Sequence, residues 1–192
     1  MDEQTKSHNA RFRNRDYLFL TGKVLDIGCG GDPIKLPVPE IVQGWDQSDG
    51  DAQYLESLED NSFDTVVSSH CLEHMVDVPT SLKNWARVLK PKGYMLIYVP
   101  SWTFYERRRW PSRYNPDHKA SFDLLDPENR PDTHPFYGFK DMRALGLTCS
   151  LELIDARLEL DGYDLSQTWN LSFDQTLGKA QAQVAFLFRK LA

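Results

Sequence analysis

Short runs of apolar residues with little polar alternation recur along the chain, separated by glycine, proline and charged residues. Runs of this kind are typical of strands that are buried on both faces of a sheet. The pattern predicts six strands, at residues 23–27, 41–46, 63–68, 94–99, 151–160 and 181–189. We therefore expect an α/β chain organised around a buried sheet.

A helical period is clearest in the middle of the chain. A helix that begins at Pro79 and ends near Leu89 has a single apolar stripe with i, i+3, i+4 and i+7 spacing, made by Leu82, Trp85, Ala86 and Leu89. Shorter helices are predicted at 11–20 and 139–147. The first ten residues are expected to be loose, and 124–135, rich in proline and aspartate, is expected to be a loop.

The first predicted strand leads into a glycine-rich turn. Gly28 and Gly30 follow it directly, and glycine lets the backbone approach a ligand because it has no Cβ. In open α/β sheets, ligands bind beyond the carboxyl ends of the strands, where this turn lies. A dinucleotide-binding turn would carry a third glycine at position 33, but the chain has Pro33 there, which counts against a nicotinamide cofactor.

The segment after this turn departs from a regular α/β unit. Pro33, Pro37 and Pro39 occupy the place of the usual crossover helix, and proline breaks helix interiors. The connection to the strand at 41–46 is also near the minimum of about a dozen residues for a parallel crossover. We expect a helix of one turn or an irregular loop, so that the first half of the fold is trimmed.

Composition limits the class of protein. One domain over residues 1–192 is expected, and the 41% hydrophobic and 26% charged content is ordinary for a globular protein. The net charge of −6 disfavours a general binder of nucleic acid or anionic membranes. No apolar run approaches the ~20 residues that span a bilayer, and no secretory signal is visible. Cys29, Cys71 and Cys149 are widely spaced, which suits a reduced, cytoplasmic chain.

Three segments together carry a family resemblance. They are the Asp-x-Gly-x-Gly turn at 26–30, the segment from Asp60 to His74 with its Ser-Phe-Asp and Leu-Glu-His triplets, and the Arg-Val-Leu-Lys-Pro-x-Gly-Tyr run at 87–94. In this order and spacing they resemble the class I methyltransferases that depend on S-adenosyl-L-methionine (SAM). The resemblance covers residues 23–100 well.

The resemblance implies a fold and a cofactor. The fold would be a Rossmann-like, mostly parallel sheet with helices on both faces and an antiparallel last strand, trimmed in its first half. The strands predicted at 151–160 and 181–189 would form the antiparallel pair at one sheet edge. The cofactor would be SAM, with S-adenosyl-L-homocysteine as its product.

The resemblance also assigns residues to parts of the cofactor. The first motif would hold the amino-acid part of SAM through Asp26, Gly28, Cys29 and Gly30. Asp46, at the end of the second strand, would accept both ribose hydroxyls, with a turn aspartate as the alternative. Asp51 and Ala52 would contact the adenine, although Gly-Asp-Ala is also an ordinary turn sequence. His70 would touch the methionine part of SAM.

Residues 101–138 change in character and are expected to form a substrate cap inserted in the domain. Arginine binds carboxylate or phosphate, and aromatic faces stack on sugars or rings. The expected substrate contacts are Trp102, Tyr105, Arg109, Arg113 and Tyr114. They suggest an anionic or sugar-like acceptor. The three consecutive arginines at 107–109 cannot all face one site on a helix, so some of them are expected to be ordinary surface.

His118 is the candidate for acid–base chemistry. Methyl transfer needs mainly in-line placement, but a hydroxyl acceptor also needs a base to take its proton. Histidine is the side chain that titrates near neutral pH, and His118 would be oriented by Asp117 or another acid. The alternative is a loop histidine bonded to backbone, and His134 is a second candidate. His70 and His74 have i, i+4 spacing, but no third ligand follows in register, so no metal site is predicted.

The expected function is transfer of a methyl group from SAM to a small molecule, with O-methylation of a sugar-like or anionic acceptor. Because helices are missing after the first and second strands, a non-catalytic relative that acts as a binding or regulatory subunit is one alternative. The arginine cluster suggests a nucleic-acid methyltransferase as another, and the acidic net charge counts against it. A membrane partner is not expected, and a homodimer is left open.

Overall fold

A computed structural model of the chain shows how the predicted elements assemble. It describes residues 3–36, 41–125, 130–168 and 170–192. Pro37 and Pro39 therefore lie outside the described residues, as does the middle of the loop predicted at 124–135.

The strands of the described chain are β1 Lys23–Ile27, β2 Ile41–Trp45, β3 Phe63–Ser69, β4 Leu89–Pro100, β5 Ser121–Phe122, β6 Phe136–Tyr137, β7 Leu151–Glu159 and β8 Gln183–Lys190. The α-helices are α1 Glu3–Arg13, α2 Val78–Val88 and α3 Phe139–Thr148. Single 3-10 turns occur at Asp16–Leu18, Leu72–His74, Leu165–Gln167 and Gln175–Leu177. All six strands expected from the apolar runs are present. No helix among the described residues is long and apolar enough to cross a membrane.

Six strands form one sheet in the order β2-β1-β3-β4-β8-β7, and β5 pairs with β6 in a small separate sheet. The first four strands are parallel, and β8 runs antiparallel to both β4 and β7. In the parallel register, Ile27 lies beside Trp45 and Ser68, so the carboxyl ends of β1, β2 and β3 meet at one edge. This topology confirms the Rossmann-like α/β fold with an antiparallel last strand.

Each face of the sheet has its own core. Val66 and Ile97 point to the face that packs against Leu82 and Trp85 of α2, and these four side chains are fully buried. Their strand neighbours point to the opposite face, where Val67, Leu96 and Tyr98 pack with Leu20 from the segment after α1. Side chains that alternate between two buried faces explain why the strand sequences are apolar without alternation.

Helix α2 begins and packs as its sequence predicts. The Asp77 side chain caps its first turn by accepting a hydrogen bond from the Thr80 amide at 3.2 Å, and Pro79 lies in that turn. The expected stripe is buried, and its Trp85 donates an indole hydrogen bond to the Ala52 carbonyl at 2.8 Å. The helix therefore holds the loop after β2 in place as well as covering the sheet.

The first half of the fold is trimmed, as expected. Residues 32–36 form no helix, and the connection from β2 to β3 contains only turns. One local prediction is wrong at the start of the chain: residues 3–10 are helical rather than loose, because they belong to α1. The expected helix at 11–20 ends at Arg13 and is followed by Arg15 in a left-handed conformation, with φ of 59°. Helix α1 rests on distant contacts, including a hydrogen bond from Lys6 Nζ to the Thr176 carbonyl at 2.7 Å, which local sequence cannot reveal.

Candidate functional site

The turn after β1 requires glycine at two positions. Gly28 has φ of +73° and Gly30 has φ of +54°, both in the left-handed region. A Cβ on Gly28 would lie 2.5 Å from the Cβ of Cys71, so a side chain there would collide with the loop after β3. A Cβ on Gly30 would lie 3.9 Å from Asp46 Oδ2. The turn is thus pressed between the ends of the neighbouring strands.

A cavity of about 510 Å³ opens at this edge of the sheet. Its walls come mainly from the turns that follow β1, β2 and β3, with Asp117 from the segment after β4, and they include Gly28, Asp46, Gly50, Asp51, Ala52, His70, Cys71 and His74. The cavity falls in the size range of small-molecule sites. It brings together six residues that were predicted from far-apart stretches of sequence: Gly28, Asp46, Asp51, Ala52, His70 and Asp117. We call it the cofactor cavity.

Two carboxylates of this cavity are held by backbone amides. Asp46 Oδ1 accepts a hydrogen bond from the Gln47 amide at 2.7 Å, and Asp51 Oδ1 accepts one from the Gln53 amide at 2.8 Å. Among the described residues, no group donates to Oδ2 of either carboxylate. Both side chains are therefore fixed in orientation while one oxygen of each stays available to hydroxyl or amino donors of a ligand.

Three predicted cofactor residues do not line the cavity. Asp26 is fully buried in β1, where its Oδ2 accepts a hydrogen bond from the Ile34 amide at 2.7 Å and ties down the loop after the turn. Cys29 points toward Gly44, since a Cβ on Gly44 would lie 2.7 Å from its sulfur. Gly30 shapes the turn through its backbone. Burial, and then the charge of Asp26, raise the pKa of the Cys29 thiol.

A second cavity of about 400 Å³ adjoins the first, because His70 and His74 line both. Its other walls are formed by the segments 105–118 and 174–183 and by one residue of α1, and they include Lys6, Glu73, Tyr105, Tyr114, Asn115, His118, Asp174, Thr176 and Gln183. We call it the acceptor cavity. The predicted Tyr105 and Tyr114 both line it, and their rings meet edge to face with 5.6 Å between centroids.

The structure does not place the other predicted substrate residues at this cavity. Arg109 and Arg113 are exposed on the surface. Trp102 is buried against His134 and Phe136, at 5.1 and 6.4 Å between ring centroids. The remaining candidate base, His134, stacks on Trp110 at 3.8 Å, away from the cavity, and burial lowers its pKa.

Arg107 has a structural role that the sequence did not reveal. Its guanidinium donates hydrogen bonds to the carbonyls of Thr168, Asn170 and Phe173, at 3.0, 2.7 and 3.1 Å. Arg107 has a positive φ of 54°, and the two arginines that follow it are exposed. The arginine cluster is therefore one anchor and several surface groups, as the spacing on a helix suggested.

His118 is held by an acid, but that acid is not Asp117. The Nδ1 of His118 lies 2.6 Å from Glu106 Oε1, and both side chains are buried. Asp117 instead pairs with His74 Nδ1 at 2.9 Å and with Lys119 Nζ at 2.9 Å. Lys119 and then His74 hold the pKa of Asp117 below its usual value. Sequence reasoning did not predict the role of Glu106, which lies beside a run of basic residues. The presence of a single acidic residue in that run could have indicated it.

Glu73 lies at the centre of the histidines. Its side chain is 1% exposed, and its Oε1 is 3.5 Å from His70 Nδ1, 3.9 Å from His74 Nε2 and 3.9 Å from His118 Nε2. In the described part of the chain, neither carboxylate oxygen accepts a hydrogen bond of normal geometry. Burial opposes ionisation, but the surrounding imidazoles, His70 first, outweigh it and lower the pKa of Glu73. The sequence indicated Glu73 and His74 only as parts that tie the loop down.

His70 connects the two cavities to the far sheet edge. Its φ is +56°, and its Nε2 lies 2.8 Å from Gln183 Oε1 on β8. Gln183 in turn donates to Glu159 Oε2 at 2.7 Å. Gln183 is 113 residues from His70, so no local motif could have identified it.

Known proteins are similar in sequence to this chain. A family model described as a methyltransferase domain matches residues 38–97 of the chain, which include two of the three motifs described above. The chain is also similar to the ubiquinone biosynthesis O-methyltransferase of Bartonella bacilliformis, with 28% identity over 176 residues that cover 79% of this chain and 68% of that protein.

Solved structures share the fold. A SAM-dependent methyltransferase from Methanosarcina mazei superposes with a TM-score of 0.56 and 17% identity, covering 93% of this chain and 97% of that one. A second structure is the 1,6-didemethyltoxoflavin-N1-methyltransferase of Burkholderia thailandensis, bound to 1,6-didemethyltoxoflavin and S-adenosylhomocysteine. It superposes with a TM-score of 0.55 and 13% identity, covering 99% of this chain and 80% of that one. At these identities the likeness concerns the fold alone.

Proposed function

Given that the chain belongs to the class I SAM-dependent methyltransferases, we propose that it methylates an oxygen of a small molecule held in the acceptor cavity. The observation that carries the proposal is the shared wall of the two cavities. His70 and His74 line both, so ligands in the two cavities would lie side by side at these two side chains. Reacting atoms must come within about 3–3.5 Å for direct transfer, and adjoining cavities permit this.

The residues of the cofactor cavity fit SAM. The Gly28 turn offers backbone close to a ligand, and Asp46 and Asp51 each keep one oxygen available for ribose hydroxyls and for the adenine amino group. His70 stands where the methionine part would end. When bound, SAM supplies a methyl group on a sulfonium sulfur, and its transfer breaks the carbon–sulfur bond with the electron pair remaining on sulfur. Asp26, Cys29 and Gly30 contribute by shaping the turn.

The acceptor cavity favours a hydroxylated, sugar-like molecule over a strongly anionic one. Its walls combine the rings of Tyr105 and Tyr114 with hydrogen-bonding groups of Asn115, Asp174 and Thr176. Aromatic faces with polar groups around them suit sugars and polar rings. The arginines that suggested an anion lie elsewhere. The name of the Bartonella relative as an O-methyltransferase supports oxygen as the atom that is methylated.

The segment 101–138 acts as a substrate cap in this proposal. It contributes Tyr105, Tyr114 and His118 to the acceptor cavity and Asp117 to the cofactor cavity. His118 takes part in removing the acceptor's proton, with Glu106 holding its Nδ1. Asp117 acts indirectly, by holding His74 through their hydrogen bond.

Calorimetric titration with SAM and with S-adenosylhomocysteine tests the cofactor half of the proposal. We expect micromolar binding to the native chain and a loss of at least tenfold in Asp46→Ala, because that carboxylate would accept the ribose hydroxyls. Glu56→Ala, which removes an exposed carboxylate outside both cavities, is the matched control and should bind like the native chain. Absence of binding to the native chain would overturn the proposal and favour the non-catalytic binding or regulatory subunit.

Methyl transfer from labelled SAM to a panel of phenols, sugars and nucleotide sugars tests the acceptor half. Product formation with a hydroxylated acceptor, and none with an RNA or DNA fragment, is the expected result. Transfer to nucleic acid alone, with binding that weakens steeply as salt rises, would contradict the small-molecule proposal. The exposed Arg108, Arg109 and Arg113 would then be the contacts to replace.

A further inference from the structure

One buried cluster in the acceptor cavity has the chemistry of a metal centre. We propose that Glu73, His74 and His118 bind a divalent first-row transition metal ion. Each offers one ligand atom, and these atoms all lie within 4.8 Å of one another. An ion at about 2 Å from each atom would keep ligand atoms roughly 3–4 Å apart, so binding needs only a small inward movement of side chains. His74, the most exposed of the three, can supply it.

The histidines are oriented as metal ligands are. Nδ1 of His74 lies 2.9 Å from Asp117 Oδ2, and Nδ1 of His118 lies 2.6 Å from Glu106 Oε1. A carboxylate only accepts hydrogen bonds, so each Nδ1 carries the hydrogen and a neutral ring has its lone pair on Nε2. Both Nε2 atoms face the same oxygen, Glu73 Oε1, at 3.9 Å. Carboxylates that fix the second nitrogen of a ligand histidine are the usual outer shell of protein metal sites.

The Glu73 carboxylate supplies an independent argument. It is buried in the cavity wall, and among the described residues no donor forms a hydrogen bond of normal geometry with either of its oxygens. A buried carboxylate without such bonds is costly, and buried charges are normally paired or coordinate a metal. A cation between Glu73 and the two Nε2 lone pairs would give the carboxylate a direct ionic partner, beyond the His70 Nδ1 at 3.5 Å.

The ligand set indicates which ions fit. Two imidazole nitrogens and one carboxylate oxygen suit zinc, cobalt, iron or manganese, whereas magnesium and calcium prefer oxygen alone. Three protein ligands leave at least one coordination position open, which is the arrangement of catalytic rather than structural sites. Glu73, His74 and His118 all line the acceptor cavity, so the open position faces the proposed acceptor.

A cation here would explain how an acceptor hydroxyl loses its proton, and this step of the inference rests on the proposed function. A bound metal lowers the pKa of an oxygen that coordinates it, so the hydroxyl ionises and becomes the nucleophile. The proton passes to solvent, and the oxygen's lone pair forms the new carbon–oxygen bond. His118 then contributes as a ligand that positions the ion.

Metal binding can be measured without any turnover. Metal-free protein is titrated with Co²⁺, which is followed by its visible absorption, and with Zn²⁺ in competition. We expect one ion per chain in the native protein. Glu73→Gln, His74→Asn and His118→Asn should each weaken binding at least tenfold, while His8→Asn, which changes an exposed histidine outside the cluster, should bind normally. Mg²⁺ should not displace Co²⁺.

The outcomes separate the two proposals. Absence of saturable Co²⁺ or Zn²⁺ binding to the native chain, or binding that survives both Glu73→Gln and His118→Asn, would overturn the metal site. SAM titration of the same samples reports the cofactor cavity independently, and circular dichroism checks that each variant is folded. If SAM binds and methyl transfer proceeds at full rate in the presence of a chelator, the proposed function stands and the metal inference falls. If the metal binds but no acceptor is methylated, the metal site stands and the proposed function falls.

Discussion

The two cavities share a wall but are built in different ways. Apart from Asp117, the cofactor cavity is made of turns that directly follow parallel strands, so the sheet register fixes the distances between them. The acceptor cavity is made largely of segments that the sheet does not order, namely α1, residues 105–118 and residues 174–182, which meet the loop after β3 and Gln183 of β8. These are held to one another by side chains, such as Lys6 Nζ, which donates to the Thr176 carbonyl at 2.7 Å.

Because of this difference, we expect the two cavities to respond differently to amino-acid substitutions. In the cofactor cavity, backbone shape carries the function, so substitutions that alter the chain's path should matter most. In the acceptor cavity, individual side-chain bonds carry it, so substitutions there should change acceptor handling while SAM binding persists. A loop scaffold that can vary beside a rigid sheet also fits a fold that serves many acceptors.

The largest effect is expected at the glycine turn. Gly28→Ala places a Cβ at φ of +73°, 2.5 Å from the Cβ of Cys71. We expect the free energy of unfolding to fall by about 3 kcal/mol, from strain and overpacking together, and SAM binding to be lost. Urea denaturation and calorimetry measure the two effects. Gly31→Ala is the matched control, since a Cβ there meets nothing within 4 Å and no positive φ is involved. Equal stability of both variants would contradict the role of the turn.

The next effect concerns turnover alone. His118→Ala removes the Nε2 that faces Glu73 from the acceptor side. We expect turnover to fall by about 100-fold or more, as for loss of an acid–base or metal-ligand group, with SAM affinity changed less than threefold. Steady-state kinetics and SAM titration test this, with His8→Ala as the control. A parallel loss of SAM affinity would mean that the two cavities are not independent.

A smaller effect is expected at the anchor of the cavity wall. Arg107→Met removes the bonds to the carbonyls of Thr168, Asn170 and Phe173 while keeping most of the stem. We expect faster hydrogen exchange over 170–177 and an increase of about tenfold in KM for the acceptor, with no change in SAM affinity. Arg108→Met, on the exposed neighbour, should change neither quantity. Similar exchange in the two variants would show that the wall is held in another way.

The smallest effect is a pH dependence at the sheet. Asp64 accepts hydrogen bonds from Lys90 Nζ at 2.7 Å and the Lys23 amide at 2.9 Å, and these hold its pKa below the usual 3.8. A lowered pKa contributes stability that is present above pH 3.8 and is lost as pH falls through the lower folded value. Because the side chain is partly exposed, Asp64→Asn should cost only about 0.5 kcal/mol. Urea denaturation should show this difference in unfolding free energy between the native chain and Asp64→Asn from pH 7 to pH 4.5, and the difference should become smaller below pH 4.5. A difference that becomes larger as the pH falls would contradict the lowered pKa of Asp64.

Sequence reasoning predicted which candidate residues lie close together where their positions follow directly from strand order. The strand ends at Ile27, Trp45 and Ser69 each lead into a predicted cofactor residue, and parallel register brings those ends together without further information. It succeeded less well beyond Pro100. There His118 was expected to be oriented by Asp117 or another acid, and the folded chain uses Glu106. Arg109 and Arg113 were expected to contact the acceptor, but they are exposed on the surface.

The sequence by itself determined the sheet, the trimmed first half and the glycine turn, because hydrophobic period, proline and glycine act over a few residues. Only the tertiary structure decided that His118 faces Glu73, because His118 reaches it from a loop more than forty residues away along the chain, whereas His70 and His74 are near neighbours of Glu73 in the sequence. Contacts of that kind depend on how distant loops pack against each other, and no periodic pattern in the local sequence predicts them. The chemistry of the acceptor cavity therefore became visible only in the folded chain.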